Sequence, residues 1–151
     1  MTKLAARRRR SFLRDHGLGL TVAAIMLLWL GLYISADPNT HLGAFYGNAT
    51  ADWLGSLMIV IATKYCYEIG SAESRPPHPK SRGVVLRMLI DHSLTILLVV
   101  TGAGWIALYL RTSPDGKSGQ VIGNVVSEWT QVLGLVVLTK YLGERGSKES
   151  K

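Results

Sequence analysis

Hydrophobic and polar positions are arranged in blocks along this chain. No charged residue occurs in 17–36 or in 93–110, and both stretches are strongly apolar. A helix of about 20 residues crosses the hydrocarbon core of a bilayer, which is about 30 Å thick. These two blocks therefore predict two transmembrane helices.

Two further helices are predicted with a weaker signal. The apolar runs that begin at Trp53 and Trp129 are too short to cross a bilayer alone. They reach about 20 residues if the helices begin near Asn48 and Asn124 and if a lysine near each far end extends to the headgroups. Those lysines are Lys64 and Lys140.

The chain contains a tandem repeat, because residues 15–74 and 91–150 align without a gap at a constant offset of 76 positions. Paired identities include Trp29/Trp105, Tyr33/Tyr109, Gly47/Gly123, Asn48/Asn124, Trp53/Trp129, Lys64/Lys140 and Glu68/Glu144. A duplicated helical hairpin of this kind forms a bundle with internal symmetry. We predict an all-α membrane protein in which four transmembrane helices form two tandem, parallel-oriented hairpins related by pseudo-twofold symmetry.

The predicted organisation has four parts: a basic arm at 1–14, a first hairpin at 15–74, a linker at 75–90 and a second hairpin at 91–150. We expect the arm to lie on the lipid surface. Asp15 and Asp91 are each expected to open a helix, because an acidic side chain caps a helix amino terminus and favours its dipole. The proline-rich part of the linker predicts an extended connection.

Basic residues predict the topology, since Lys and Arg are retained on the cytoplasmic side of a membrane. They are concentrated in the arm, the linker and the tail, whereas only Arg111 and Lys117 fall in the opposite loops. Both termini are therefore expected to be cytoplasmic, in a bacterial inner membrane. The net charge of +7 indicates contact with anionic lipid headgroups, and nothing in the sequence favours nucleic acid.

Asp52 and Glu128 are the candidate ion-binding residues. Each follows the repeated Gly-Asn dipeptide, so Asn48 and Asn124 belong to the same candidate site. An acid within the bilayer is costly and is by default a hypothesis for a cation or proton site. The alternative is that both asparagines cap helices and that each acid occupies a first helical turn, where it favours the dipole.

His16 and His92 occupy equivalent places at the predicted cytoplasmic ends of helices one and three. Two facing histidines could hold a haem or a metal ion. The alternative is an interfacial histidine that is solvated or paired with a carboxylate. We expect that the chain carries no cofactor.

A second repeated motif ends each hairpin, with Lys64, Glu68 and Gly70 in the first copy. Glu68 follows Lys64 by four residues, which allows a surface ion pair on a helix, and Gly70 could terminate that helix. We interpret Lys64, Lys140, His16 and His92 as interfacial anchors, with a partner-docking surface as the alternative.

The start Arg14-Asp15-His16-Gly17-Leu18 and the end Gly70-Ser71-Ala72-Glu73-Ser74 enclose one hairpin. This pattern resembles an uncharacterised bacterial family of small membrane proteins with an Arg-x-x-Gly-Leu start and a Gly-Ser-Ala-Glu-Ser end. This chain differs in holding two hairpins, the second with Ser93 in place of Gly and Lys148 in place of Ala. The resemblance implies a membrane hairpin and carries no assigned activity.

The sequence contains no recognisable catalytic constellation, so we do not expect an enzyme. We expect an oligomeric channel or transporter for a cation or proton. The alternative is a non-conducting accessory or structural subunit of a larger membrane complex. The two differ in whether the protein purifies as a homo-oligomer or with unrelated chains.

Overall fold

A computed structural model describes residues 3–75, 83–113, 115–143 and Ser147. Within those residues the chain is all-helical, as predicted, and contains no strand. The helices are α1 (Lys3–Ser35), α2 (His41–Tyr65), α3 (Val84–Asp91), α4 (Ser93–Arg111) and α5 (Lys117–Leu138).

The four long helices pack side by side in the order α1, α2, α5, α4, so that α2 and α5 are central. The core lies mainly between α2, α4 and α5, and its buried residues are Ala51, Ala62, Leu94, Leu98, Val125, Trp129 and Val136. Trp129 also donates from Nε1 to Thr101 Oγ1 of α4 at 2.8 Å, so this indole is both packed and hydrogen-bonded.

Three helical segments are long and apolar enough to cross a membrane: Asp15–Ser35, Ser93–Arg111 and Lys117–Leu138. The prediction of four such helices is therefore confirmed for three. Helix α2 has 25 residues but is not among them. The hydropathy of α2 is lower because Asn48, Asp52 and Ser56 interrupt its apolar sequence.

Helices α2 and α5 begin earlier than predicted. Thr40 caps α2, because its Oγ1 accepts from the Gly43 N–H at 3.1 Å. Helix α5 begins at Lys117, directly after the turn. The interpretation of Asn48 and Asn124 as caps, with an acid in the first turn, is therefore wrong. Apolar residues before each asparagine continue the helical packing, so Asp52 and Glu128 lie more than two turns inside their helices.

The predicted capping roles of Asp15 and Asp91 are also wrong. Helix α1 runs without a break from Lys3 through Asp15, and Asp91 is the last residue of α3. The break falls at His92, whose backbone (φ −121°, ψ 15°) separates α3 from α4. Alanine, leucine and arginine are strong helix formers, which explains why the basic arm continues α1. The expectations for Pro114 and for the segments 76–82, 144–146 and 148–151 lie outside the described residues.

The two hairpins contain an equivalent close approach. A Cβ atom placed on Gly47 would lie 2.9 Å from Cε2 of Tyr33, and one on Gly123 would lie 3.1 Å from Cε2 of Tyr109. In each hairpin a tyrosine ring of the first long helix therefore packs directly on a glycine of the second. Only a residue without a side chain allows this contact at normal distances.

Candidate functional site

Asn48 and Asn124 meet where α2 crosses α5. Asn124 Nδ2 donates to Asn48 Oδ1, so two residues at equivalent repeat positions contact each other directly. Because α2 and α5 are the central helices, this contact lies on the shared interface of the two hairpins. An interhelical amide bond of this type typically contributes about 0.6 kcal/mol within a membrane protein.

One turn further along, the side chains of Asp52 on α2 and Glu128 on α5 are close enough to interact across the same interface. Gly55 packs beside Glu128, since a Cβ atom at that position would be in ordinary van der Waals contact with Cβ and Oε2 of Glu128, at 3.4 and 3.5 Å. Gln131 Nε2 donates to Glu128 Oε1 at 3.4 Å. The four predicted site residues thus form one cluster, and we call it the acid cluster.

The end of the bundle at which the turns follow α1 and α4 is here called the loop end. Cavities with polar lining residues lead from this end to the acid cluster. A cavity of about 270 Å³ is lined by Tyr33, Ala44, Gly47, Asn48, Gln120 and Asn124. A second cavity of about 430 Å³ lies between Tyr109 of α4 and the α5 residues Asn124, Ser127 and Thr130. Both cavities are large enough for several water molecules.

The opposite end of the bundle, which holds His16, Lys64 and His92, is here called the linker end. Between it and the acid cluster the structure is densely packed. Leu94, Leu98 and Val136 are completely buried, and Ala62 is nearly so. The acid cluster is therefore approached by polar space from the loop end and separated from the linker end by apolar side chains.

The two predicted interfacial histidines have different partners. Nδ1 of His16 lies 3.0 Å from Lys64 Nζ, and Nδ1 of His92 lies 2.7 Å from Glu68 Oε1. Lys64 Nζ also donates to the Asp15 carbonyl at 3.4 Å. In the described part of the chain, no group of three or more His, Cys, Asp or Glu side chains is placed to hold a metal ion.

Glu68 forms a buried charged cluster that sequence reasoning missed. Its side chain is 1% exposed, and its Oε1 accepts from Lys140 Nζ at 2.6 Å as well as from His92. Oε2 accepts from the Thr95 N–H at 3.3 Å, so Glu68 also caps the amino terminus of α4. We call these four residues the Glu68 cluster. The predicted surface pair of Glu68 with Lys64 is wrong, because α2 ends at Tyr65 and the chain then turns toward the second hairpin.

The segment after α2 is tied to the second hairpin by backbone contacts. Ile69 N donates to the Asp91 carbonyl at 2.7 Å, and Leu94 N donates to the Tyr67 carbonyl at 3.1 Å. Gly70 does not terminate α2 as predicted; it has φ +87° in a turn covered by the methylenes of Lys140. This conformation suits glycine. The recurrence of Glu68 and Gly70 in the second repeat indicated that both positions matter. Their spacing in the sequence did not show that they contact the second hairpin.

The electrostatic environment keeps Glu68 ionised. Burial alone raises its pKa, but hydrogen bonds from Lys140, Thr95 and His92 outweigh burial, and the pKa lies below the usual value for glutamate. The Glu68 cluster therefore links the end of α2, the start of α4 and the end of α5 through charged hydrogen bonds at the linker end. Ser71 and Thr139 add a further link between these elements, because their hydroxyl oxygens are 3.1 Å apart.

Comparison with known proteins adds no further constraint, because no family model, curated protein or solved structure matches this chain.

Proposed function

We propose that this chain is a small integral membrane protein that binds and translocates a proton or another small cation through the acid cluster. The observation that carries the proposal is the meeting of α2 and α5 at the Asn48–Asn124 hydrogen bond, with the acids Asp52 and Glu128 facing each other one turn further along. The interface also contains the Asn48 and Asn124 amides, so it offers oxygen ligands and exchangeable protons in one place.

The depth of the acids supports this function. Asp52 lies about 16 Å along α2 from His41, and Glu128 lies equally far from Lys117. We propose α2 as a fourth span, since its 25 residues extend about 37 Å and it is packed between α1 and α5. Acidic groups at such a depth are unfavourable in lipid and are typical of ion and proton pathways.

The proposed topology has two hairpins inserted in the same sense, with both termini in the cytoplasm of a bacterial cell. The repeated contacts Tyr33 with Gly47 and Tyr109 with Gly123 support a pseudo-twofold relation. Charge supports the orientation, because four described basic residues lie at the linker end (Lys64, Arg75, Arg87 and Lys140), whereas the loop end holds only two (Arg111 and Lys117) among the described residues. The basic arm, whose backbone continues α1, adds further positive charge on the linker side.

We propose that the pathway is gated and that the described conformation is one of its states. Polar cavities connect the loop end to Asn48 and Asn124, while Leu94, Leu98 and Val136 close the other half. Passage to the linker end therefore requires α4 or α5 to move relative to α2. The Glu68 cluster joins these three helices, so it would oppose that opening.

A non-conducting accessory subunit is the second candidate, and α3 is the observation that favours it. This helix contains no buried residue, and Val84, Val85 and Met88 are mostly exposed. An apolar surface of this kind at the linker end suits a protein or lipid contact. Purification with unrelated chains, in place of a homogeneous protein, would favour this second function.

Ion flux in liposomes tests the leading proposal. We expect purified protein to dissipate a proton, sodium or potassium gradient, and Asp52→Asn combined with Glu128→Gln to reduce the flux at least tenfold. Asp115→Asn is the matched control, because this exposed acid lies in the 112–116 turn away from the acid cluster. Flux that survives in the double variant, or its absence in the unmodified protein, would contradict the proposal.

A further inference from the structure

Exposed polar side chains follow the outside of the two central helices, beside the exposed apolar residues Phe45 and Leu135. On α2 they are Asn48, Asp52 and Ser56, which are four residues apart and all exposed. On α5 they are Ser127 and Gln131, also four apart and exposed. Residues at this spacing lie on one side of a helix. We call these five residues the polar face.

The polar face differs from the rest of the bundle exterior. Helix α1 exposes Leu27 and Leu28, and helix α4 exposes Val99 and Val100, as expected for surfaces in contact with lipid. Polar and ionisable side chains within a membrane instead face a bundle interior or a water-filled cavity. A single copy of this chain leaves its polar face uncovered, so the acid cluster is open on one side.

We infer that a second copy of this chain covers the polar face, and that the functional site is completed between the two copies. Asp52 and Glu128 lie at the same distance from the first residues of their helices, His41 and Lys117. A copy inserted in the same sense therefore presents its own acids at the same depth. A twofold axis along the membrane normal brings this patch onto itself.

The chemistry of the polar face is self-complementary. The Asn48 and Gln131 amides, like the Ser56 and Ser127 hydroxyls, each contain a donor and an acceptor, so the same residues on another copy can pair with them. Asp52 would gain amide and hydroxyl donors from that copy. A partner with an apolar helix face would leave the remaining donors and acceptors of these side chains without partners, which is costly in hydrocarbon.

This arrangement deepens the proposed function and rests on it, because it requires α2 and α5 to lie in the membrane. Two copies would enclose two Asp52 and Glu128 pairs around one axis, shielded from lipid by α1 and α4. The pathway would then run along the interface between copies, bordered by the polar face of each.

Cysteine crosslinking in lipid vesicles tests the interface without measuring transport. The only native cysteine is removed as Cys66→Ala, and single variants Ser56→Cys and Ser127→Cys are oxidised with copper phenanthroline. We expect most of the protein to form a dimer in at least one of them. Ala24→Cys on α1 and Ala103→Cys on α4 are the controls, because both are small, exposed and near the middle of their spans, and they should crosslink at least tenfold less.

Equal crosslinking of the controls, or monomers in both polar-face variants, would overturn the inference, as would an adduct with an unrelated chain. The unmodified protein in lipid nanodiscs provides a second measurement, and its mass should correspond to at least two copies. A polar-face dimer without ion flux would reject the proposed function alone. Flux from a protein that remains monomeric would reject the interface alone.

Discussion

Replacing Glu68 by glutamine removes one buried negative charge while keeping the shape of the side chain. Lys140 then remains only 16% exposed without its counter-charge, and the Thr95 N–H loses a charged acceptor. Removing one partner of a buried ion pair typically lowers the free energy of unfolding by about 3 to 5 kcal/mol. We expect a value near the lower limit, about 3 kcal/mol, because His92 is partly exposed and glutamine can still accept one hydrogen bond.

Asp91→Asn is a matched control, since it makes the same acid-to-amide change in an exposed pair. Arg87 Nε lies 3.6 Å from Asp91 Oδ2, and the arginine side chain is 78% exposed. Pairs of this kind contribute about 0.3 to 0.5 kcal/mol. Unfolding by denaturant in detergent micelles, followed by tryptophan fluorescence, measures both variants against the unmodified protein. A loss below about 1 kcal/mol for Glu68→Gln would refute the assigned role.

The pH dependence gives a second signature. Because the folded pKa of Glu68 lies below its ordinary value of 4.5, the ionised form favours folding. This contribution is fully present above the ordinary value and is lost as the pH falls through the lower folded value. The difference between Glu68→Gln and unmodified protein should therefore be largest near neutral pH and should shrink below about 4.5. A difference that does not change with pH would show that the charge is not responsible.

Two further variants test the packing. Gly47→Ala should lower the free energy of unfolding by about 1 to 2 kcal/mol, because its Cβ would lie 2.9 Å from the buried Tyr33 ring. Gly31→Ala, with open space around it, should instead be neutral or stabilising by up to about 1 kcal/mol, and equal effects would contradict this reasoning. Trp129→Phe removes the 2.8 Å bond to Thr101 and should cost about 1 kcal/mol. A double-mutant cycle with Thr101→Val, measured by the same denaturant unfolding, should show coupling of about 0.5 to 1.5 kcal/mol.

The span positions could be predicted because hydrophobicity acts locally and accumulates along a helix. The uncharged stretch at 93–110 lies within α4, and the stretch at 17–36 lies within α1 except for its last residue, Ala36. Helix starts were less predictable, since Asn48 resembles a cap in sequence but Thr40 caps α2 after an apolar continuation of the helix. A capping signal identifies residues at which a helix can begin, whereas tertiary packing selects the residue at which it does begin.

The repeat offset relates Asn48 to Asn124 and Asp52 to Glu128, and in the structure the members of each pair lie against each other, which the offset alone did not indicate. The Glu68 cluster was not predicted, although Glu68, His92 and Lys140 all occupy repeated positions of the sequence. Their sequence separations carry no information about a contact between hairpins. That contact depends on the path of the chain after Tyr65, which leaves the helix in an extended conformation at Cys66.

Helix α1 continues from Lys3 to Ser35, about 50 Å, although only the part from Asp15 onward is apolar enough for lipid. Roughly 18 Å of the same rod therefore projects beyond the hydrocarbon boundary as a rigid lever. A tilt of about 10° in the embedded part would displace its tip by about 3 Å. A displacement of this tip would be transmitted to the helix packing below without a hinge.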